Sequence, residues 1–247
     1  MHSARRPTEI EPWPEPDAHV TPFAAEEILV GGAALVADPA GVLYWPEQQA
    51  LVVADLHLEK GSGLASRGLL LPPYDTAASL GRLSGLVARY APRLVIALGD
   101  SFHDDDGARR MAPQHRDALR VLQRARDWLW IAGNHDPDPD AAIGGRCAAM
   151  LALGGLTFRH EPKPQEDTAV AGHLHPVARL HVRGQGIRRR CFVSDHGRIV
   201  MPAFGSYAGG LNVRHAAFAG LFSARFTAHI LGEHRLYAVA GHRCLAD

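Results

Sequence analysis

Short apolar runs broken by Gly, Pro and Asp turns dominate the chain from Ile28 onward. Residues 28–30, 33–36 and 42–44 read as strands joined through turns at 31–32 and 38–41. Residues 50–53 form an apolar run of the fully buried strand type, and it stops at Asp55, Leu56 and His57. A glycine-rich connection with Gly61, Gly63 and Gly68 follows. After Pro72 and Pro73 the period changes. Leu80, Leu83, Val87 and Tyr90 fall near one helical face and predict a helix over 75–90. Residues 93–98 are the next buried strand, ending at Gly99 and Asp100. A helix over 113–126 follows, with Pro113 suited to its first turn. The apolar run Trp128, Leu129 and Trp130 then leads into Gly133, Asn134, His135 and Asp136.

Strand, helix, strand, helix, strand in this order implies βαβ units and parallel pairing. Ligands of such sheets sit at the C-terminal ends of strands. The second half carries little helical pattern; residues 156–160, 168–171, 178–182, 188–193, 198–203, 221–230 and 235–239 read as strands. A β-rich second half beside a βαβ first half predicts an α/β fold of two packed sheets flanked by helices. Residues 1–24, rich in Pro, Glu and Arg, read as a disordered or draped arm, and 25–247 as one domain.

Composition narrows the function classes. Twenty-six basic and 26 acidic residues cancel, so bulk charge argues neither for nor against a nucleic-acid partner. Cys147, Cys191 and Cys244 are odd in number and far apart. They fit neither a disulfide framework nor a zinc knuckle, and suit a reducing cytosol. No apolar run predicts a membrane span or secretion signal, so a cytoplasmic location without membrane contact is expected. Fifteen histidines are many, and several stand at strand ends beside Asp or Gly.

Those strand ends hold the chemistry. Asp55 and His57 are two apart, so in extended chain a carboxylate and an imidazole point the same way and can share a cation. Asp100, Asn134 and His160 each follow a strand, and His173 and His175 repeat the two-residue spacing. This mixed nitrogen and oxygen set contains no thiolate, which suits Mn²⁺, Fe or Zn²⁺ at a reactive site better than structural zinc. It offers more ligands than one ion needs.

The series Asp55-x-His57, Gly99–Asp100, Gly133–Asn134–His135–Asp136, His160 and Gly172–His173-x-His175 resembles the calcineurin-like binuclear metallophosphoesterase superfamily. The wording around 51–60, 158–162, 171–176 and 201–212 is similar to its ligase-associated DNA damage response endonucleases. The resemblance implies a four-layer αββα sandwich, a two-metal site preferring Mn²⁺, and phosphodiesterase and single-strand DNA endonuclease activity in DNA repair. Carried over, Asp55, His57, Asp100 and His175 would hold one ion. Asp100, Asn134, His160 and His173 would hold the other, with Asp100 bridging. Glu161 departs from the wider superfamily, where Gly often follows the histidine. DNA, single-stranded or branched, is the implied partner. Functional association with a DNA ligase, a helicase and an exonuclease is implied too, and a homodimer is compatible.

Two such ions about 3.5–4 Å apart can share a water and lower its pKa from 15.7 toward roughly 7, producing the attacking hydroxide. His135, next to a ligand but not itself expected on metal, is placed to protonate the leaving alkoxide. Asp136 is expected to hold the His135 imidazole in the useful tautomer. His103 is a second candidate for placing the phosphate or assisting protonation. Arg109, Arg110 and the run Arg188, Arg189, Arg190 are candidate phosphate contacts, and the Gly-rich loop 204–210 a candidate substrate loop. The alternatives are a small-molecule metallophosphoesterase acting on cyclic nucleotides or nucleotide-sugar diphosphates, and a metal-bearing scaffold without catalysis. Phe102, His103 and Asp104 argue against a protein phosphatase, where an Asp–Arg pair is expected. The retained His135 and Asp136 argue against the scaffold.

Overall fold

The apolar runs become strands that pair into two sheets, and the computed structural model describes residues 25–137, 141–164, 167–222 and 225–247. The first sheet holds seven strands in chain order. These are β1 (Glu26–Val30), β2 (Ala33–Asp38), β3 (Val42–Trp45), β4 (Ala50–Ala54), β5 (Leu94–Leu98), β6 (Asp127–Ile131) and β7 (Arg146–Ala148). β1 to β4 pair antiparallel, whereas β4 to β7 pair parallel, as the βαβ pattern requires.

The second sheet has nine strands, with β14-β11-β12-β13-β10-β9-β8 as its main path and β15 and β16 added beside β12. Its strands are β8 (Leu151–Leu153), β9 (Leu156–Arg159), β10 (Ala169–Ala171), β11 (Pro176–Val182), β12 (Gln185–Ser194), β13 (Arg198–Val200), β14 (Leu211–Asn212), β15 (Thr227–Leu231) and β16 (Leu236–Ala240). β9, β10 and β13 run parallel, so the ends of β9 and β10 leave the sheet on one side.

The core lies between the sheets. Leu35, Val52, Ile96 and Leu98 of the first meet Phe158, Val170, Phe192 and Ile199 of the second, all buried. Each such side chain contributes about 1.5–3 kcal/mol by leaving water. A second core packs the outer face of the first sheet under the helices. Leu80, Leu83, Leu86 and Val87 of α2 (Asp75–Tyr90) and Leu119 and Leu122 of α4 (Pro113–Gln123) cover Val53, Val95 and Trp130. Asp75 in the first turn of α2 and Arg89 in its last complement the helix dipole. The outer face of the second sheet is covered by Val213, Phe218 and Leu221, around a short 3₁₀ turn Ala216–Phe218. Two mixed sheets between outer layers are the expected α/β sandwich, with a thin layer on this side.

Several elements differ from the sequence pattern. The glycine-rich connection contains a short helix, α1 (Lys60–Ala65), because Gly61 and Gly63 let it pack against Asp75 and Asp104. Another short helix, α3 (Gly107–Arg110), precedes α4. α4 ends at Gln123 rather than near 126, since Arg124 is extended and Ala125 turns left-handed with φ 57°. The run 221–230 is strand only from Thr227; Leu221 is spent on the outer core instead. The arm at 1–24 lies outside the described residues. No helix among the described residues is long and apolar enough to cross a membrane.

Candidate metal centre

The parallel pairing brings the ends of β4, β5 and β6 side by side, and the sheet packing sets the ends of β9 and β10 opposite them. Beyond its last strand residue, the β4 segment keeps pairing with the β5 segment. His57 N–H donates to Asp100 O at 2.9 Å and Leu58 N–H to Ser101 O at 2.9 Å. The second sheet is sewn to the first by Phe204 N–H on Ala54 O (2.9 Å) and Gly205 N–H on Asp55 O (3.0 Å).

The side chains at these ends converge. Single ligand atoms of Asp55, His57, Asp100 and His175 lie within 4.8 Å of one another, and those of Asp100, His160 and His173 do the same. Asp100 belongs to both groups. His57 Nε2 stands 3.2 Å from His175 Nε2 and 4.0 Å from Asp100 Oδ2, and His175 Nε2 is 3.3 Å from Asp55 Oδ1. On the other side, His160 Nδ1 donates to Leu98 O at 2.9 Å, which leaves Nε2 to take up a proton or a cation. That nitrogen faces Asn134 Oδ1 at 2.8 Å, His173 Nδ1 at 3.1 Å and Asp100 Oδ1 at 3.3 Å.

Asp55, His57, Asp100 and His160 are buried and His173 and His175 half-buried, and acceptor atoms this close repel unless a proton or a cation stands among them. The donor set is oxygen and imidazole nitrogen without sulfur. These residues therefore fit a divalent metal site.

Local backbone geometry serves this convergence. Asp55 (φ 51°), His57 (φ 42°), Asp100 (φ 44°), His173 (φ 69°) and His175 (φ 45°) are all left-handed. Such conformations cost L-residues on the order of 1 kcal/mol each and persist where surroundings over-determine them. Gly133 has no side chain for a reason: a Cβ there would come 2.1 Å from Asp100 N. At Gly99 a Cβ would strike the His160 ring at 2.5 Å.

The electrostatics follow from crowding. Burial, then the facing His175, pushes His57 down to about 3, so it stays neutral. Burial raises the Asp100 carboxyl, but the bond and charge of His160 and the His135 N–H outweigh it and hold Asp100 below the usual carboxylate range. For His160, burial is outweighed by the Asp100 bond and the charges of Asp55 and Asp100, which lift it to about 9. A site that draws a proton this way is a site that draws a cation.

His135 stands at the mouth, with its side chain 44% exposed and Nε2 3.9 Å from Asp100 Oδ2. Its N–H donates to Asp100 Oδ1 at 2.9 Å, and its Nδ1 donates to the His103 carbonyl oxygen at 2.9 Å. The expectation that Asp136 orients this ring is corrected here. Asp136 is buried, and its Oδ2 accepts the N–H groups of Ser101 (2.8 Å) and Phe102 (3.0 Å) instead. The tight turn after Asn134 points the Asp136 carboxylate inward under the Asp100 loop while the His135 ring points out. Burial, helped by the Asp100 charge, raises Asp136 to about 7 against the pull of those two bonds. The His103 ring stacks on His135 with centroids 5.8 Å apart and lies 6.3 Å from His57. Burial, then Lys60, lowers its pKa.

The other candidates divide. Arg110 is engaged by Asp104 at 2.7 Å and Arg109 by Asp106 at 3.3 Å. The 204–210 loop lies against the Asp55 backbone. Sequence reasoning missed that loop's anchors, Arg82 and Arg190, which hold its carbonyls. No short-range signal links residues so far apart in the chain.

Two packed mixed sheets with a metal-binding cluster at facing strand ends define the class: the chain belongs to the calcineurin-like metallophosphoesterase superfamily. It is similar to Pseudomonas putida nuclease MPE, whose crystal structure matches 87% of this chain and 100% of its own with 31% identity and a TM-score of 0.68. Matches at lower identity are Yfce, a phosphoesterase from E. coli (14% identity, 77% of this chain and 97% of that one, TM-score 0.39), and Vps29 complexed with Zn from Entamoeba histolytica (12%, 77% and 97%, TM-score 0.34). The sequence matches no family model, and no curated protein matches it.

Proposed function

We propose that this protein is a Mn²⁺-dependent phosphodiesterase that cuts single-stranded DNA as an endonuclease in DNA repair, as a ligase-associated DNA damage response endonuclease. One observation carries the reading: Asp100 is common to two adjoining acceptor groups, the arrangement a pair of ions needs. The similarity to a protein described as a nuclease supports the choice of substrate.

In this reading Asp55, His57, Asp100 and His175 hold one ion, and Asp100, Asn134, His160 and His173 the other. Bound divalent ions supply charge neutralisation at the phosphoryl oxygens and an acidified water. The chain supplies the rest. Its left-handed ligand backbones hold the cluster in place before substrate arrives, so little reorganisation is left for the reaction. The His103 carbonyl fixes the His135 tautomer with the proton on Nδ1, so neutral His135 presents Nε2 as an acceptor toward the mouth. Protonated there, Nε2 donates to the leaving alkoxide; as a base it receives the proton of the attacking water.

The test is a substrate panel. Purified protein with Mn²⁺ is offered a single-stranded oligonucleotide, a duplex, a chromogenic diester and a chromogenic monoester. Cuts within the single strand are the expected result. Turnover of the small esters alone points to the small-molecule metallophosphoesterase and overturns the nuclease reading.

A further inference from the structure

A second concentration of chemistry lies away from the metal cluster. A cleft of about 360 Å³ opens between the turn after β2 and the first half of β12, lined among others by Pro39, Gly41, Arg82, Arg188, Arg189 and Arg190. Arg82 comes from α2, and Arg188 and Arg190 project from one face of β12, so helix layer and second sheet meet here; Arg189 projects from the other face, on the side of Ala178 and Cys191.

No carboxylate answers the guanidinium groups of Arg82, Arg188 and Arg190 among the described residues. Arg82 donates to Phe204 O and Arg188 to Gly210 O. Arg190 donates to Ala203 O (2.9 Å), Gly205 O (3.0 Å) and Ala208 O (3.1 Å). The Arg189 guanidinium makes no hydrogen bond or ion pair among the described residues. Carbonyl oxygens take up donors but leave the charge uncompensated. Asp38, which precedes Pro39 of the cleft lining, is 1% exposed and already engaged by Ala40 N–H, Arg89 and Tyr90. Burial and the adjacent Arg190 charge disfavour the Arg82 cation. In a chain of zero net charge, three clustered cations without an acid paired to them are an uncompensated anion site.

The number of charges and the size of the cleft suit several phosphates in a row better than one. Each guanidinium has five N–H donors in a planar fork, so those bonded to carbonyls keep donors for a phosphate. The wall between cleft and metal centre is the 203–208 loop. Arg190 holds Gly205 O from one side while Gly205 N–H holds Asp55 O at 3.0 Å from the other. A strand seated at the cluster has this cleft one loop away.

We propose that the cleft formed by Arg82, Arg188 and Arg190 is an exosite for the sugar–phosphate backbone of a nucleic-acid single strand, holding it beyond the bond that is cut. The proposal rests on the nucleic-acid reading above. It assigns affinity for long substrates to residues that take no part in hydrolysis.

The experiment uses the full chain and a fluorescein-labelled single-stranded oligonucleotide, with EDTA present so that nothing is cut. Fluorescence anisotropy gives the dissociation constant across a salt series. Arg188→Glu is expected to weaken binding about tenfold or more and to lower the salt slope by about 0.7 for each phosphate that is no longer neutralised. Hydrolysis of a chromogenic diester with Mn²⁺ should stay at the wild-type rate, which also shows that the variant is folded. The substitution Arg188→Gln should weaken binding without reversing charge.

Unchanged affinity in both variants, or no binding by the wild type, overturns the proposal. Displacement of the oligonucleotide by polyglutamate at equal charge concentration overturns it in favour of an acidic protein partner. The two readings fail separately. Arginine-dependent binding with turnover of small diesters only would sink the nuclease reading and keep the cleft. Strand cutting with arginine-independent binding would do the reverse.

Discussion

His135 Nδ1 donates to the main-chain carbonyl of His103 at 2.9 Å, and this bond, not a carboxylate, fixes the tautomer of the ring at the mouth of the metal centre. A carbonyl orients a ring without adding negative charge behind it. His135→Ala is expected to lower turnover of a chromogenic diester about 10²–10⁴-fold, the usual contribution of general acid–base catalysis. Metal content should stay at the wild-type level, measured by elemental analysis after gel filtration. Turnover at the wild-type rate would remove His135 from the mechanism.

Asp136 makes a different prediction from the one its sequence position suggests. Its Oδ2 holds two buried N–H groups, of Ser101 and Phe102, directly after Asp100. Asp136→Ala orphans both, at about 1–3 kcal/mol for each. The expected result is a lower midpoint of urea unfolding and a higher metal concentration for half-maximal activity. Asp136→Asn, which keeps an acceptor oxygen, should recover most of both. A variant that lost only kcat, with stability and metal response intact, would restore the orienting role.

Asp100 stands in both acceptor groups, so its loss should disable the whole centre. Asp100→Ala is expected to lose bound metal and activity together. In the wild type, metal at one hundred times its dissociation constant should stabilise the fold by about 2.7 kcal/mol. Thermal unfolding with and without Mn²⁺ measures this. A melting temperature that does not respond to metal in the wild type would contradict the centre itself.

His229 provides a pH dependence away from the metal cluster. It is buried, receives the Ser194 hydroxyl at Nε2 (2.8 Å) and donates from Nδ1 to Glu26 Oε1 at 3.2 Å. Burial lowers its pKa, against the pull of Glu26. The unfolded chain therefore binds a proton below about pH 6.5 that the folded chain refuses. Stability contributed by neutral His229 is present above that pH and is lost as pH falls below it. His229→Gln should flatten this part of the acid-side slope in urea unfolding between about pH 5 and 7. An unaltered slope would show that His229 titrates alike in both states.

Much of the site was legible because its parts sit where apolar runs stop. The run ending at Asp55 and His57, the one ending at Asp100, and the one before Asn134 all became parallel strands whose ends adjoin. The two-residue spacing of His173 and His175 likewise brought both to the centre, though in different acceptor groups and not through extended chain. His57, His173 and His175 are left-handed, and no propensity scale predicts that for histidine. The roles of Asp136 and His135 could not be told apart in sequence. Both follow Asn134 in one tight turn, and which faces inward depends on the neighbouring Asp100 loop.

What the sequence determined by itself is therefore the inventory of chemistry and the strand ends that carry it, because burial of apolar runs is a local pattern that physics enforces. What only the tertiary structure decided is how that chemistry is shared and aimed. It set Asp100 between two acceptor groups, gave His135 a carbonyl for its partner, and turned Asp136 to the loop beneath. It also brought Arg82 of one helix to the arginine run of β12, more than a hundred residues away. Contacts of that range depend on sheet packing and on where each turn points, and neither leaves a trace in local periodicity.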